Sequence, residues 1–403
     1  MNLPKGWKLD AIKNCCTVVS GSTPKRNKPE YWKNGNIPWV TPKDLSKLNS
    51  SILEDTPEKI TKLGYDSCST TLLPRGSILF SSRAPIGYVA IAGKDMCTNQ
   101  GFKSLIPNDS VNSNYLYWCM RRYAKNIEDL GAGSTFKEVS KGIVENFKIP
   151  LPPIASQRRI ADILDKADEI IRKRKEAIAL TEQLLKSTFL DMFGDPVINP
   201  KGWDVVTLEQ VAEKEKGAIK CGPFGSQLLI SEFQDIGIPV YGIDNVQKNE
   251  FIWAKPKFIT REKYQQLRAF SIKLNDVLIS RTGTVGRTCI APPNIPESII
   301  GANLLKVSLD QNEMSSKYLS YALSYSEFLI QEIKNMSPGA TVPVFNTSNL
   351  KSLKLANPPM DLQIKFNLMI NKIQEKIGKQ KKSLQESENL FNSLLQKAFK
   401  GEL

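Results

Sequence analysis

The chain contains no histidine. That removes Ser-His-Asp and Cys-His nucleophile arrangements, His-bearing zinc sites and His-centred nucleases in one step. Asn357-Pro358-Pro359-Met360 has the form of the Asn-Pro-Pro-aromatic motif with which amino-methyltransferases hold a target base, but Met360 stands where the stacking ring is needed. The corresponding stretch of the first half reads Leu151-Pro152-Pro153-Ile154, and no glycine-rich loop for S-adenosylmethionine is present. Gly87 to Lys94 approaches a phosphate loop, yet it is one residue too long before Gly93-Lys94 and carries Asp95 where Ser or Thr would reach magnesium. Arg281-Thr282-Gly283-Thr284-Val285-Gly286 lacks the dinucleotide fingerprint. Pro-Asp, a frequent start of restriction-nuclease carboxylate sites, occurs nowhere. The seven cysteines, at 15, 16, 68, 97, 119, 221 and 289, form no Cys-x-x-Cys pair and read as reduced, buried small residues. No catalytic constellation, bound cofactor or metal is expected in this chain.

The charge points towards a polyanion, with a merely soluble basic surface as the alternative. The formal charge is +14, unevenly spread: residues 1 to 153 hold 21 basic and 13 acidic groups, whereas residues 194 to 359 hold 18 and 16. The first half should therefore lean more on phosphate contacts. Met1 to Gly6 has no apolar core for a signal peptide, and no window approaches the ~18 apolar residues of a membrane span. A cytoplasmic protein without membrane contact is expected.

The elements that must position such contacts come twice. Pro4-Lys5-Gly6-Trp7 returns as Pro200-Lys201-Gly202-Trp203, and Leu73 to Gly87 is answered by Ile272 to Gly286. Gly133-Ser134-Thr135 is answered by Gly339-Ala340-Thr341, and Pro152-Pro153 by Pro358-Pro359, while the offset drifts from 196 to 206. Each copy has a turn-rich stretch with short β-like runs, such as Gly76 to Ala90 and Asp276 to Ile290, then a segment of helical period without proline. Leu164, Ile171, Ile178, Leu185 and Met192 recur every seven residues, and the offset of 206 carries them onto Ile370, Ile377, Leu384, Phe391 and Ala398. Ile163, Ile170, Ala177 and Leu184 widen the first stripe, and Phe366, Ile373 and Leu394 the second.

Ten apolar positions in one register predict a paired coiled coil. Two helices packed separately on their own domains are the alternative. A helix of that length runs about 58 Å. If the second returns antiparallel along the first, Leu164 should lie near Ala398, Ile171 near Phe391, Ile178 near Leu384 and Leu185 near Ile377. Gly194 and Gly401 are placed as helix C-caps. The expected fold is α+β: two globular domains of mixed α and β content, separated by two long helices in an antiparallel coiled coil, with pseudo-two-fold, circular symmetry. The boundaries are 1–153, 154–193, 194–359 and 360–403.

Several short motifs carry a resemblance in addition. Gly21-Ser22-Thr23-Pro24, Tyr31-Trp32, Ile37-Pro38-Trp39-Val40 before Asp44, Arg75 to Arg83, Pro152-Pro153 with Gln157, Met192 to Pro196 and Leu394 to Leu403 together resemble the specificity subunit of type I restriction-modification systems, over the whole chain. The resemblance implies two target recognition domains, each reading one half of a split DNA sequence, with the helices fixing the gap. It implies no catalysis by the chain itself. Two methyltransferase subunits, which bind S-adenosylmethionine, and two ATP- and magnesium-dependent motor and nuclease subunits are the implied partners, so that one reading directs adenine methylation or restriction. The rival readings are a self-contained DNA methyltransferase and a coiled-coil DNA-binding regulator.

Gly222-Pro223-Phe224-Gly225-Ser226-Gln227 replaces Gly21-Ser22-Thr23-Pro24 in the second copy, so the half-sites should differ and the target be asymmetric. Phosphate contacts are expected from Lys25, Arg26 and Lys28, and from Lys220 and Ser226 at the corresponding turn. Base-edge candidates are Thr41, Lys43, Asp44, Arg83, Asn99 and Gln100 in the first domain, and Tyr241, Asp244, Asn245, Arg281 and Asn303 in the second. Asp44 and Asp244 recur in both copies, and turn residues accepting backbone bonds are the alternative for them. Trp39 reads as core. Arg83 and Arg281 are one position out of step, so at most one should face the groove.

Overall fold

The computed structural model describes residues 4–133, 137–282, 285–335 and 345–403. Met1 to Leu3 and the motif residues Ser134, Thr135, Gly283, Thr284 and Gly339 to Thr341 lie outside the described residues. Contacts divide the chain into two units, Met1–Ala177 with Lys381–Leu403, and Ile178–Gln380. Each unit thus takes half of each long helix.

Both units are built on one plan. In the first, strand Lys8–Ala11 pairs antiparallel with Lys148–Leu151, and in the second Asp204–Thr207 pairs with Lys354–Asn357. Lys8 faces Leu151 and Asp204 faces Asn357, so each domain's entrance is tied to its exit just before a long helix begins. The larger sheet of the first unit runs Cys16–Ser20, Lys103–Pro107, Ile78–Ser82, Ile86–Ala92 and Ile52–Leu53; that of the second runs Ile219–Cys221, Leu304–Val307, Val277–Ser280 and Thr288–Ile290. A smaller sheet follows in both. Ile37–Val40 lies between antiparallel Lys59–Ile60 and parallel Cys97–Thr98, as Ile238–Tyr241 lies between antiparallel Lys257–Ile259 and parallel Ile299–Ile300.

The central strands are apolar on both faces because both faces are covered. Side chains alternate along a strand, so Ile78 and Phe80 enter the core shared with the helices while Leu79 enters a second core beneath the small sheet. Val277 and Ile279 against Leu278 repeat that division.

The long helices run from Ile154–Phe193 and Met360–Lys400. Both end on glycines in the left-handed region, Gly194 at φ +75° and Gly401 at φ +76°, as C-caps require. Of the ten heptad positions, eight are buried, and Met192 and Leu384 are half-buried. Leu164, Ile171, Leu384, Phe391 and Ala398 share the first unit's core, and Leu185, Met192, Ile370 and Ile377 share the second's. Three expected antiparallel pairs thus meet in common cores; the fourth, Ile178 with Leu384, has one member in each unit.

The side seam differs from expectation in part. Ile170 and Leu184 are exposed, whereas Phe366, Ile373 and Leu394 pack on their cores. The reason is a third helix in each unit. Ser113–Asp129 lays Trp118 5.4 Å from the Phe391 ring, and Ser316–Tyr325 lays Tyr318 5.0 Å from Phe193, so each domain supplies the flank that Ile170 and Leu184 would have covered.

One buried side chain locks each helix to its domain. The Gln157 Oε1 accepts from Asn112 N–H (2.8 Å) while its Nε2 donates to the carbonyls of Ser110 (3.0 Å) and Pro152 (2.9 Å). Gln363 accepts from Ser315 N–H (2.9 Å) and donates to Pro358 O (2.7 Å) and Asn357 Oδ1 (3.1 Å). Tyr115 and Tyr318 add matching hydroxyl bonds to the carbonyls of Pro150 and Ala356. The Asn357 carboxamide, which also donates to Glu313 O (3.2 Å), is part of this junction.

Candidate nucleic-acid interface

The small sheet and the turns that leave it hold most of the candidate residues. After Val40 the chain turns at Thr41 into Pro42–Ser46, and Asp44 Oδ2 accepts from both the amide and the hydroxyl of Thr41 at 2.7 Å. The same turn follows Tyr241. There Asn245 Oδ1 accepts from Gly242 N–H (2.9 Å), and its Nδ2 donates to the carbonyls of Ile252 (3.0 Å) and Ala254 (3.1 Å). Strand pairing sets Trp39 opposite Cys97 and Val240 opposite Ile299, so the counterpart of Asp44 is Asn245, and not Asp244 as the motifs suggested. The Thr41 hydroxyl and Asp44 Oδ2 hold each other within the turn, and buried Asn245 has its acceptor and both donors engaged, which corrects the assignment of Asn245 to a base edge. Lys43 and Asp244 occupy the neighbouring, exposed position of this shared turn. The frame is conserved between copies while the exposed charge is reversed.

A second shared turn begins at Gly21 and Gly222. A Cβ on either would lie 2.0 Å from a backbone oxygen, of Asn99 and of Gly301 respectively, so only glycine permits the approach. Beyond it the copies diverge. In the first unit Arg26 is bidentate to Glu58 (2.6 and 3.0 Å) and its guanidinium lies over the rings of Trp32 (3.9 Å) and Trp39 (4.7 Å). Arg26 is thus paired with Glu58 while 51% of its side chain stays exposed, so the ion pair competes with the expected phosphate contact. The guanidinium holds the Glu58 carboxyl below the usual range. Trp39 is core, donating to Ser22 O (3.1 Å), and Trp32 donates to Lys25 O (3.1 Å), so the loop is a braced platform. From it Lys25 projects exposed, and Lys28 sits 3.7 Å from Glu30. In the second unit Ser226 is exposed beside an exposed Phe224, whereas Lys220 rests half-buried with Nζ 4.6 Å from the Phe270 ring centre.

The remaining candidates separate clearly. Arg83 lies 3.7 Å from Glu138, which also takes a contact from nearly buried Lys103 at 3.3 Å. Asn99 Oδ1 accepts from Gly101 N–H (2.8 Å), and exposed Gln100 is bonded to the Thr23 hydroxyl. Tyr241 is buried, edge-on to Phe251 at 5.1 Å, and burial pushes its hydroxyl up; this removes it as a base reader. Asn303 is exposed, its carbonyl accepting from Arg281 N–H at 3.0 Å. Arg281 Nη1 donates to Cys221 Sγ (2.7 Å) and Ala302 O (3.3 Å). Glu58, Glu138 and Cys221 are the partners that sequence reasoning missed, because each lies dozens of residues from its arginine and no local pattern links them.

The duplicated frame is what the comparisons with known proteins match. A family model described as the type I restriction modification DNA specificity domain fits residues 4–180 and again 200–390. The specificity subunit of the type I restriction enzyme MjaIX from Methanocaldococcus jannaschii is 30% identical over 420 residues, which is 100% of this chain and 94% of that protein. A solved chain from work on complex assembly and conformational transition of the type I R-M system superposes with a TM-score of 0.61 at 21% identity, covering 100% of both chains. The S subunit of a type I restriction-modification system from M. genitalium gives 0.59 at 16% identity, covering 99% of this chain and 96% of its own. These last two likenesses speak for the fold. Matched in both of its halves and along its full length by a relative, the chain belongs to the family of type I restriction-modification DNA specificity subunits.

Proposed function

We propose that each unit reads one half of a bipartite, asymmetric duplex DNA target, and that the chain performs no chemistry of its own. The observation that carries this is the contrast at equivalent positions. Turn residues recur between the units, Asp44 with Asn245 and Gly21 with Gly222, while exposed positions differ, Lys43 against Asp244 and Lys25 against the Phe224 loop. A repeated frame with altered contacts suits two related but different half-sites. The long helices, of 40 and 41 residues, would set the gap between them.

In this reading two methyltransferase subunits and two motor and nuclease subunits assemble with the chain in the cytoplasm. S-adenosylmethionine, ATP and magnesium are held by those partners, and the one reading directs adenine methylation or ATP-dependent cleavage. Among the described residues no helix is long and apolar enough to cross a membrane. Mapping methylated adenines in cells with and without the gene tests the proposal. The expected result is one split, asymmetric motif whose methylation disappears with the gene. Methylation that persists, or S-adenosylmethionine bound by the isolated chain, would count against it.

A further inference from the structure

Arg281 differs from the other two candidate arginines in the company it keeps. Arg26 and Arg83 each face a carboxylate, Glu58 and Glu138. Arg281 is held by uncharged groups. Its Nη1 hydrogens go to Cys221 Sγ (2.7 Å) and Ala302 O (3.3 Å), and the Cys221 thiol turns towards the same carbonyl at 3.8 Å, closing a triangle. The backbone is fixed on both sides, its N–H donating to Asn303 O (3.0 Å) and its carbonyl accepting from Phe345 N–H (3.2 Å). Burial pushes the Cys221 thiol up, so at neutral pH it is a neutral acceptor and leaves the guanidinium charge uncancelled.

The other edge of the fork is unused. Nε is buried without a partner, and Nη2 has none among the described residues. A pair of parallel donors on one edge matches the O6 and N7 acceptors of guanine in the major groove. An orphaned buried donor is a cost that a ligand acceptor relieves.

This arrangement belongs to one unit alone. Val277 pairs with Val307 as Ile78 pairs with Leu105, so Ser82 takes the place of Arg281; Cys221 pairs with Leu305 as Ser20 pairs with Lys103, so Ser20 takes the place of Cys221. A framework device would recur, as Gln157 and Gln363 do.

We infer that Cys221 is a positioning residue: by holding Nη1 it presents the Nε and Nη2 edge of Arg281 to a guanine in the half-site read by the second unit. The inference rests on the DNA-reading role proposed above. Its test uses the full chain assembled with its methyltransferase subunit, selecting bound duplexes from a randomised library and sequencing them. Arg281→Ala should lose guanine preference at one base pair in one half of the motif, by roughly ten- to hundred-fold, leaving the other half unchanged. Cys221→Val keeps the side-chain volume without an acceptor for Nη1. It should weaken preference at that same base pair at least about ten-fold with an unchanged melting temperature, and Cys221→Ser, which can still accept, should restore much of it. Guanine preference kept in Cys221→Val but lost in Arg281→Ala would overturn the positioning role alone. Wild-type selection by Arg281→Ala would overturn the arginine's reading with it. Equal weakening of every sequence by Cys221→Val would also overturn the inference, since a positioning residue acts at one base pair.

Discussion

At Asn245 one carboxamide makes three hydrogen bonds in a buried turn, while Asp244 beside it is exposed. Asn245→Ala should therefore cost about 2 kcal/mol in urea unfolding, because a buried donor and two carbonyls lose their partner, whereas Asp244→Ala should stay within ~0.5 kcal/mol and act on DNA binding. Equal destabilisation by both would refute that division. Phosphate and base contacts separate by a different measurement. Lys25→Ala should weaken all duplexes alike and flatten the salt dependence by about one, whereas Arg83→Ala should cost about 1–3 kcal/mol on the cognate duplex alone if its guanidinium leaves Glu138 to read guanine. Unchanged binding of cognate and scrambled duplexes would reject the role of Arg83. The Arg26 and Glu58 pair sets a pH dependence. Because the Glu58 carboxyl lies below its ordinary value of 4.5 when folded, the pair's contribution is present above that value and is lost as pH falls below it. In tryptophan fluorescence, Glu58→Gln should remove this acid-dependent step from the loop that Trp32 and Trp39 brace.

Among the elements, the long helices were the most legible in the sequence and the domain sheets the least. Heptad spacing depends only on helix geometry, so the seam from Leu164 to Ala398 could be read directly. The exposure of Ile170 and Leu184 could not, since it depends on which neighbour covers the flank. Trp118 and Tyr318 come from helices dozens of residues away. Gln157, by contrast, was visible only as one letter of a motif, and its meaning is geometric. Gln157→Leu should destabilise the first unit by about 3 kcal/mol, as it strands one N–H and two carbonyls at a buried junction, and Gln363→Leu should do the same to the second. Thermal melts of the single and double variants would show it, and a change below ~0.5 kcal/mol would disprove the locking role.

On the scale of the whole chain, Pro4 and Gly401 meet within one unit. A Cβ on Gly401 would lie 2.1 Å from Pro4 Cγ, just as one on Gly194 would lie 2.4 Å from Pro200 Cγ. The first contact is made through space and the second along the chain, so an equivalent junction is made in both units. A permuted chain that joins Leu403 to Pro4 and opens between Gly194 and Pro200 should fold with a melting temperature within a few degrees of the parent. Loss of cooperative unfolding, or of the native circular-dichroism spectrum, would contradict the circular reading.

Duplication, the two helices and their register were determined by the sequence itself, because each rests on residue type and fixed spacing. The tertiary structure decided which polar side chains remain available to a ligand. Asn245 and Tyr241 looked like base readers and are buried by the fold, whereas Arg281 keeps one edge of its fork unpaired. The physical reason is that a hydrogen-bonding group is spent or free according to what lies within about 3 Å of it, and for these residues that neighbour comes from a distant part of the chain.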